Sequence, residues 1–358
     1  MAFVFNVENA PQAASNENRK EIDWDARSKY LVEKAGTQDG PEALIGIVSG
    51  VIDLGLQKQE DAKMEFKGTE EDEAEELKKN SAQYFATLDN DKGIPTRYKR
   101  WVVKPCQQVA LTVDFPDIMV NNDQFFAESD TGVEHPLRQL LNGEFFIKGI
   151  GKTVGKPYNL KETRSDDGNW SIKNNTVLYK LAQATGGVLD DKGLLKPAYI
   201  GNLLGKAALF DVQLFIQESQ GKHYLNEKIK LNGQVPKAMQ KLIPTLDDKY
   251  IYGVNFKGPQ DKEVLKNLRQ SIITTMSLAT NFEGSDVQKA LIELGRVKAS
   301  NSSQEHQPEQ AIPHPTAPQE TRKVEPSPTP QGTDFDDFGD IPFAPIGLQE
   351  GRMFLHMI

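Results

Sequence analysis

EALIGIVSGVIDLGLQ, residues 42–57, is mostly apolar and rich in β-branched residues, with glycines at 46, 50 and 55. Side chains of this kind suit a pleated strand. A strand this long must bend if both of its ends are to share one small core. Glycine permits such bends at barrel corners, where a side chain would collide with a crossing strand. The stretch therefore predicts a long, bent strand of a small β-barrel.

Strand patterning continues outward from it. RYKRWVVKPCQQVALTVDFPD (97–117) reads as a second strand, with Val109, Leu111 and Val113 alternating with Ala110, Thr112 and Asp114. NGEFFIKGIGKTVGKPYNL (142–160) reads as a strand leading into a glycine- and lysine-rich loop. NLLGKAALFDVQLFIQ (202–217) and GKHYLNEKIKLNG (221–233) make a hairpin that turns over Glu218, Ser219, Gln220 and Gly221. Helical spacing enters in three places. NNTVLYKLAQATGG (174–187) places Val177, Leu178, Leu181 and Ala182 on one face and stops at Gly-Gly. PQDKEVLKNLRQSIITTMSLAT (259–280) predicts one amphipathic helix through Leu265, Leu268, Ile272 and Met276. SDVQKALIELGRVKA (285–299) predicts another, capped by Ser285. EEDEAEELKKNSAQYF (70–85) reads as a solvated helix in an acidic insertion at about 60–92. The expected class is mainly β with helical additions (α+β).

The totals narrow the function classes. Net charge is −9 over residues 1–90, +6 over 91–300 and −6 over 301–358. A basic body between acidic ends fits an anionic partner for the body. Cys106 is the one cysteine, so neither an internal disulfide nor a cysteine metal cage is available, and a reducing, cytoplasmic setting is expected. There is no apolar run of about 18 residues, so no membrane span is expected. MAFVFNVENAPQAA at the start lacks the basic region of a secretion signal.

Signals for catalysis are weak. GIGKT (149–153) would need a glycine at position 146 to cradle a phosphate, and that residue is Phe146. His135 and His223 lack metal-ligand spacing, and Asp166 and Asp167, being adjacent, point apart in a turn. The expectation is a protein that is not an enzyme and has no cofactor and no metal.

Three segments interleave cations and rings. They are Arg97, Tyr98, Lys99, Arg100, Trp101 and Lys104; then Phe145, Phe146, Lys148, Lys152, Lys156 and Tyr158; then Lys222, His223, Tyr224, Lys228 and Lys230. Cations follow phosphates while rings stack on unpaired bases, so this mixture points to single-stranded nucleic acid. All but Phe145 and His223 are taken as candidate DNA-binding residues.

From 300 to 332 the chain is Pro-, Gln-, Ser- and Thr-rich with almost no apolar residue, and is expected to be a disordered linker. DFDDFGDIPF (334–343) follows. Its Asp334, Phe335, Asp336, Asp337, Asp340, Ile341, Pro342 and Phe343 resemble the acidic tip of bacterial single-stranded DNA-binding proteins. The pattern departs from that family where Phe338-Gly339 interrupts the acids and where APIGLQEGRMFLHMI follows Phe343. The phrase NLLGKAALFDVQLFIQ…GKHYLNEKIKLNG is similar to the closing strands of OB-fold proteins encoded by phages in replication and recombination modules.

The resemblance implies a five-stranded OB-fold-like barrel with insertions. It implies sequence-independent binding of single-stranded DNA during phage replication or recombination, in the bacterial cytoplasm. It also implies a tip that recruits replication or repair proteins, its Phe filling an apolar pocket and its acids meeting a basic rim. The expected organisation is an N-terminal arm (1–36), the nucleic-acid-binding body (37–258), a helical element (259–299), the linker and the tail (333–358). Self-association stays open. So does a second reading, a recombination mediator or protein-interaction factor that does not itself hold DNA.

Overall fold

The computed structural model describes residues 22–126, 131–165, 167–219 and 222–298. The linker and the acidic–aromatic tip lie outside the described residues.

Helix α1 (Trp24–Ala35) starts at an Asp23 cap and ends at Gly36, in the left-handed region at φ 67°. It leads into β1 (Glu42–Gln57). A self-contained arm follows, made of β2 (Ala62–Glu65), α2 (Glu70–Lys79), β3 (Gln83–Asp89) and β4 (Pro95–Trp101). Then come β5 (Cys106–Val120), the single turn α3 (Asp123–Phe126) and β6 (His135–Leu140). β7 (Glu144–Ile147) and β8 (Gly151–Val154) form a short hairpin. β9 (Tyr158–Asn159), β10 (Glu162–Arg164) and β11 (Trp170–Ile172) precede α4 (Val177–Thr185). The chain continues through β12 (Ala207–Ser219), β13 (Lys222–Gly233) and β14 (Tyr252–Val254). Helices α5 (Lys262–Asn267), α6 (Gln270–Ser277) and α7 (Asp286–Glu293) close the described body.

The main sheet runs β13-β12-β1-β5-β6, antiparallel between neighbours. β1 reaches across it by dividing one edge between two partners: β12 takes Glu42–Ile47, and β14 adds in parallel at Gly50–Ile52. Register shifts between Val48 and Gly50 and between Asp53 and Gly55 supply the expected bends. Gly55 sits there at φ 79°, a conformation that other residues rarely adopt.

The expected closed barrel is not formed. Among the described residues β6 and β13 are the two edges of an open sheet, without a ladder between them. Arg269 spans the seam instead. Its guanidinium donates to the Arg138 carbonyl on β6 at 3.1 Å and to Glu227 on β13 at 3.3 Å.

The sheet buries both faces, and that explains why β5 alternates yet is buried throughout 109–115. One face, with Val113, Phe115, Phe210, Val212 and Leu214, packs on α1 and α4 through Leu31, Leu178 and Leu181. The opposite face, with Ile52, Leu54, Ala110 and Leu140, packs on Val254, Phe256 and helices α5–α7.

Three expectations are revised in detail. Residues 24–35 of the supposed N-terminal arm are a helix whose Leu31, Val32 and Ala35 belong to the core. The run 97–117 is two strands in different sheets, separated at 102–105, where Pro105 has no N–H to pair. The run 259–280 is two helices, broken where Leu268 and Arg269 turn extended (ψ 142° and 141°), which frees Arg269 to reach the seam.

Candidate nucleic-acid interface

The arm sorts its own cations by strand alternation. β4 is the middle strand of the order β2-β4-β3, and its odd and even residues face opposite ways. The odd face meets α2. Arg97 donates to both carboxylate oxygens of Glu73 at 2.7 Å, and the Lys99 ammonium lies 2.7 Å from Glu76. Those contacts hold the Arg97 guanidinium above its ordinary pKa and the Glu76 carboxyl below its own. Lys99 is only 14% exposed. Two of the expected phosphate contacts are thus internal ties that fasten the helix to the arm.

The even face alternates cations with rings; Lys63 is exposed, while Tyr84, Tyr98 and Arg100 are half-buried. Lys63 Nζ lies 5.3 Å from the Tyr98 ring centroid, and the Arg100 guanidinium lies 5.4 Å from that of Tyr84. Tyr84 donates its hydroxyl to Asp61 at 2.5 Å, which raises its pKa. Arg100 Nε has no hydrogen-bond partner among the described residues. Lys63 and Tyr84 escaped the sequence reading because they sit on neighbouring strands; the register Lys63↔Arg100↔Tyr84 brings them together. Trp101 is half-buried on the α2 side, and Lys104 is exposed in the connection to β5.

The second segment forms a finger, β7–β8, whose base packs on α6. Phe146 at its side is 70% exposed, and Lys148 is exposed at the turn. Lys152 pairs with Glu144 at 2.7 Å. Lys156 is exposed beyond the finger. Tyr158 is no stacking residue: it aligns with Val109 and packs on the core, where burial pushes its hydroxyl pKa up.

The third segment lies on β13. Its odd residues Leu225, Ile229 and Leu231 turn to the core, and its even residues Tyr224, Lys228 and Lys230 are exposed. Lys228 Nζ sits 4.6 Å from the ring centroid of Phe215 on β12. Phe215 was legible in the sequence, because Phe210, Val212 and Leu214 fix which face of β12 is inward. The backbone of Lys222 pairs with Ser219; its side chain lies outside the description. His223 Nδ1 is 3.7 Å from Asp25, and His135 Nδ1 is 3.0 Å from the Tyr250 hydroxyl.

The candidate residues therefore occupy three separate elements: arm, finger and hairpin. Among the described residues no cluster of His, Cys, Asp or Glu could hold a metal ion, and no helix is long and apolar enough to cross a membrane. Compared with protein families, curated proteins and solved structures, the chain finds no match.

Proposed function

We propose that this chain binds single-stranded DNA without sequence specificity, on a partly open OB-type barrel, in phage DNA replication or recombination. The observation that carries the reading is the repeated placing of a cation over a half-buried ring, on the arm (Lys63–Tyr98, Arg100–Tyr84) and on the hairpin (Lys228–Phe215). Such a surface offers phosphates a charge and bases a flat partner.

The strand order supports the fold half of the reading. OB folds are five-stranded, partly open Greek-key barrels that bind through the face of their second and third strands and through the loops joining strands 1–2 and 4–5. Here β1, β5, β6, β12 and β13 stand for those five strands, with α4 between the third and fourth. The outer face of β5 and β6 is already covered by Tyr250, Tyr252 and the closing helices. That leaves the two loop positions, and these are the arm and the β12–β13 hairpin.

The test is a fluorescence anisotropy titration with a labelled oligothymidylate at several salt concentrations. Binding is expected to weaken steeply with salt, and duplex of equal length to bind poorly. Tyr98→Ala with Arg100→Ala, or Tyr224→Ala with Lys228→Ala, should each cost roughly 1–3 kcal/mol per base lost from a ring. Reversing Arg97 or Lys99 is a poorer probe, since it also loosens α2. Salt-independent binding, or equal affinity for duplex, would end the proposal. The tip 334–343 is assigned to recruiting replication or repair proteins; a chain ending at Lys298 should still bind DNA and lose that capture.

A further inference from the structure

Among the open apolar features of the described residues, two bear on each other. One is the finger, where Phe146 is 70% and Ile150 46% exposed with Lys148 between them. The other is a groove on the α2 side of the arm. It consists of two adjoining hollows of about 330 and 460 Å³ that share Met64 and Lys99. Phe66 and Trp101 extend its apolar floor, and Asp72 and Glu75 of α2 stand on its rim.

The two features match in shape and sign. α2 carries acids at 70–73, 75 and 76 against only Lys78 and Lys79. Glu73 and Glu76 turn in to Arg97 and Lys99, and Lys79, which also lines the groove, lies 3.9 Å from Glu75; Glu70, Glu71, Asp72 and Glu75 still outnumber Lys78 and Lys79 on α2. The finger brings Lys148 beside the exposed Phe146 ring and Ile150, while Lys152 is paired with Glu144. Within one chain the finger does not fill the groove, as the exposure of Phe146 records.

We propose that the β7–β8 finger of one copy seats in the arm groove of a second copy, with Phe146 and Ile150 on the apolar floor and Lys148 against the α2 carboxylates. The surfaces joined are different, so the contact is heterologous and propagates head to tail instead of closing as a two-fold dimer. Charged rims on this contact steer and select the partner, while the buried ring supplies most of the affinity.

The experiment is sedimentation velocity on the full chain without DNA, from micromolar to sub-millimolar concentration. The wild type is expected to grow with concentration through a series of species. Phe146→Asp, a change at an exposed position, should weaken that association about tenfold or more while the circular dichroism spectrum stays unchanged. Lys148→Glu and Glu75→Lys should each weaken it alone, and an equimolar mixture of the two variants should recover it. A wild type that stays monomeric throughout, or a Phe146→Asp chain that assembles like wild type, overturns the proposal. So does a mixture that fails to recover. None of these readouts involves DNA, so assembly and the DNA-binding reading stand or fall separately.

Discussion

Asp114 is 1% exposed, and a buried carboxylate is costly unless it is paired and hydrogen-bonded. Here three donated hydrogen bonds meet it. Arg138 donates to it from Nε at 2.7 Å and from a terminal nitrogen at 2.8 Å, and Ser49 Oγ adds a third bond at 2.7 Å. Arg138 is fixed in turn by the Tyr250 carbonyl at 2.9 Å and by the Tyr252 ring 4.9 Å away. Asp114→Ala should therefore cost about 3–5 kcal/mol in urea denaturation, because it strands a half-buried guanidinium. A loss below about 1 kcal/mol would mean that water replaces the carboxylate. Glu144 gives a pH-dependent counterpart. Burial alone would raise its pKa, but Arg269 at 3.5 Å, Lys152 at 2.7 Å and the Ser271 hydroxyl outweigh burial and hold it below the ordinary value of 4.5. A depressed carboxylate stabilises the fold fully above its unfolded-state pKa and loses that contribution as pH falls through its folded-state pKa. Glu144→Gln should accordingly lower stability at neutral pH and flatten the acid side of the profile. Urea midpoints measured between about pH 7 and pH 3 would show the two curves converging at the acid end.

At the scale of the element, β1 depends on what its glycines lack. A Cβ on Gly46 would lie 2.5 Å from Val113 Cγ1 and 2.8 Å from both the Phe115 and Phe210 rings. Gly46→Ala should thus destabilise by about 1–3 kcal/mol through overpacking, readable as a lowered midpoint in thermal denaturation. An unchanged midpoint would show that the two rings can move apart. The requirement for glycine in this strand was legible, since an apolar run of this length cannot curve around a small core otherwise. The helix ends were legible too. Ser285 caps α7 by accepting from the Gln288 N–H, and Gly186 and Gly187 end α4 at φ 70° and 68°. The break in 259–280 was not. Leu265, Leu268, Ile272 and Met276 are all buried, as one helix would have buried them, so the apolar pattern cannot distinguish one helix from two. What decides is Arg269, whose partners lie 42 and 131 residues away in the chain. The arm was half legible for the same reason. Its cations were visible in β4, but which of them would meet acids depended on α2 folding over one face.

At the scale of the whole molecule, the seam between β6 and β13 sets how the two edges of the main sheet are held together. Backbone pairing closes every other strand junction of the main sheet, whereas this one rests on side chains. Arg269 joins Glu227 of β13, the Arg138 carbonyl of β6 and Glu144 of the finger. Burial works against its charge, and Glu227 and Glu144 outweigh that. The same residue links the closing helices to the candidate hairpin, since α6 begins directly after it. Arg269→Ala leaves Glu227 and the Arg138 carbonyl facing a gap that they cannot bridge, while Glu144 keeps Lys152 and Ser271, and should cost about 3 kcal/mol. The loss should be local in kind. Hydrogen exchange is expected to quicken in β6 and β13, the strands that flank the seam, well before β1 and β5 at the centre of the sheet. The arm should keep its protection, because its elements pack on one another and no element of it packs extensively on the main sheet. Uniform loss of protection would show that Arg269 supports the whole fold; unchanged exchange in β6 and β13 would show that the seam holds without it.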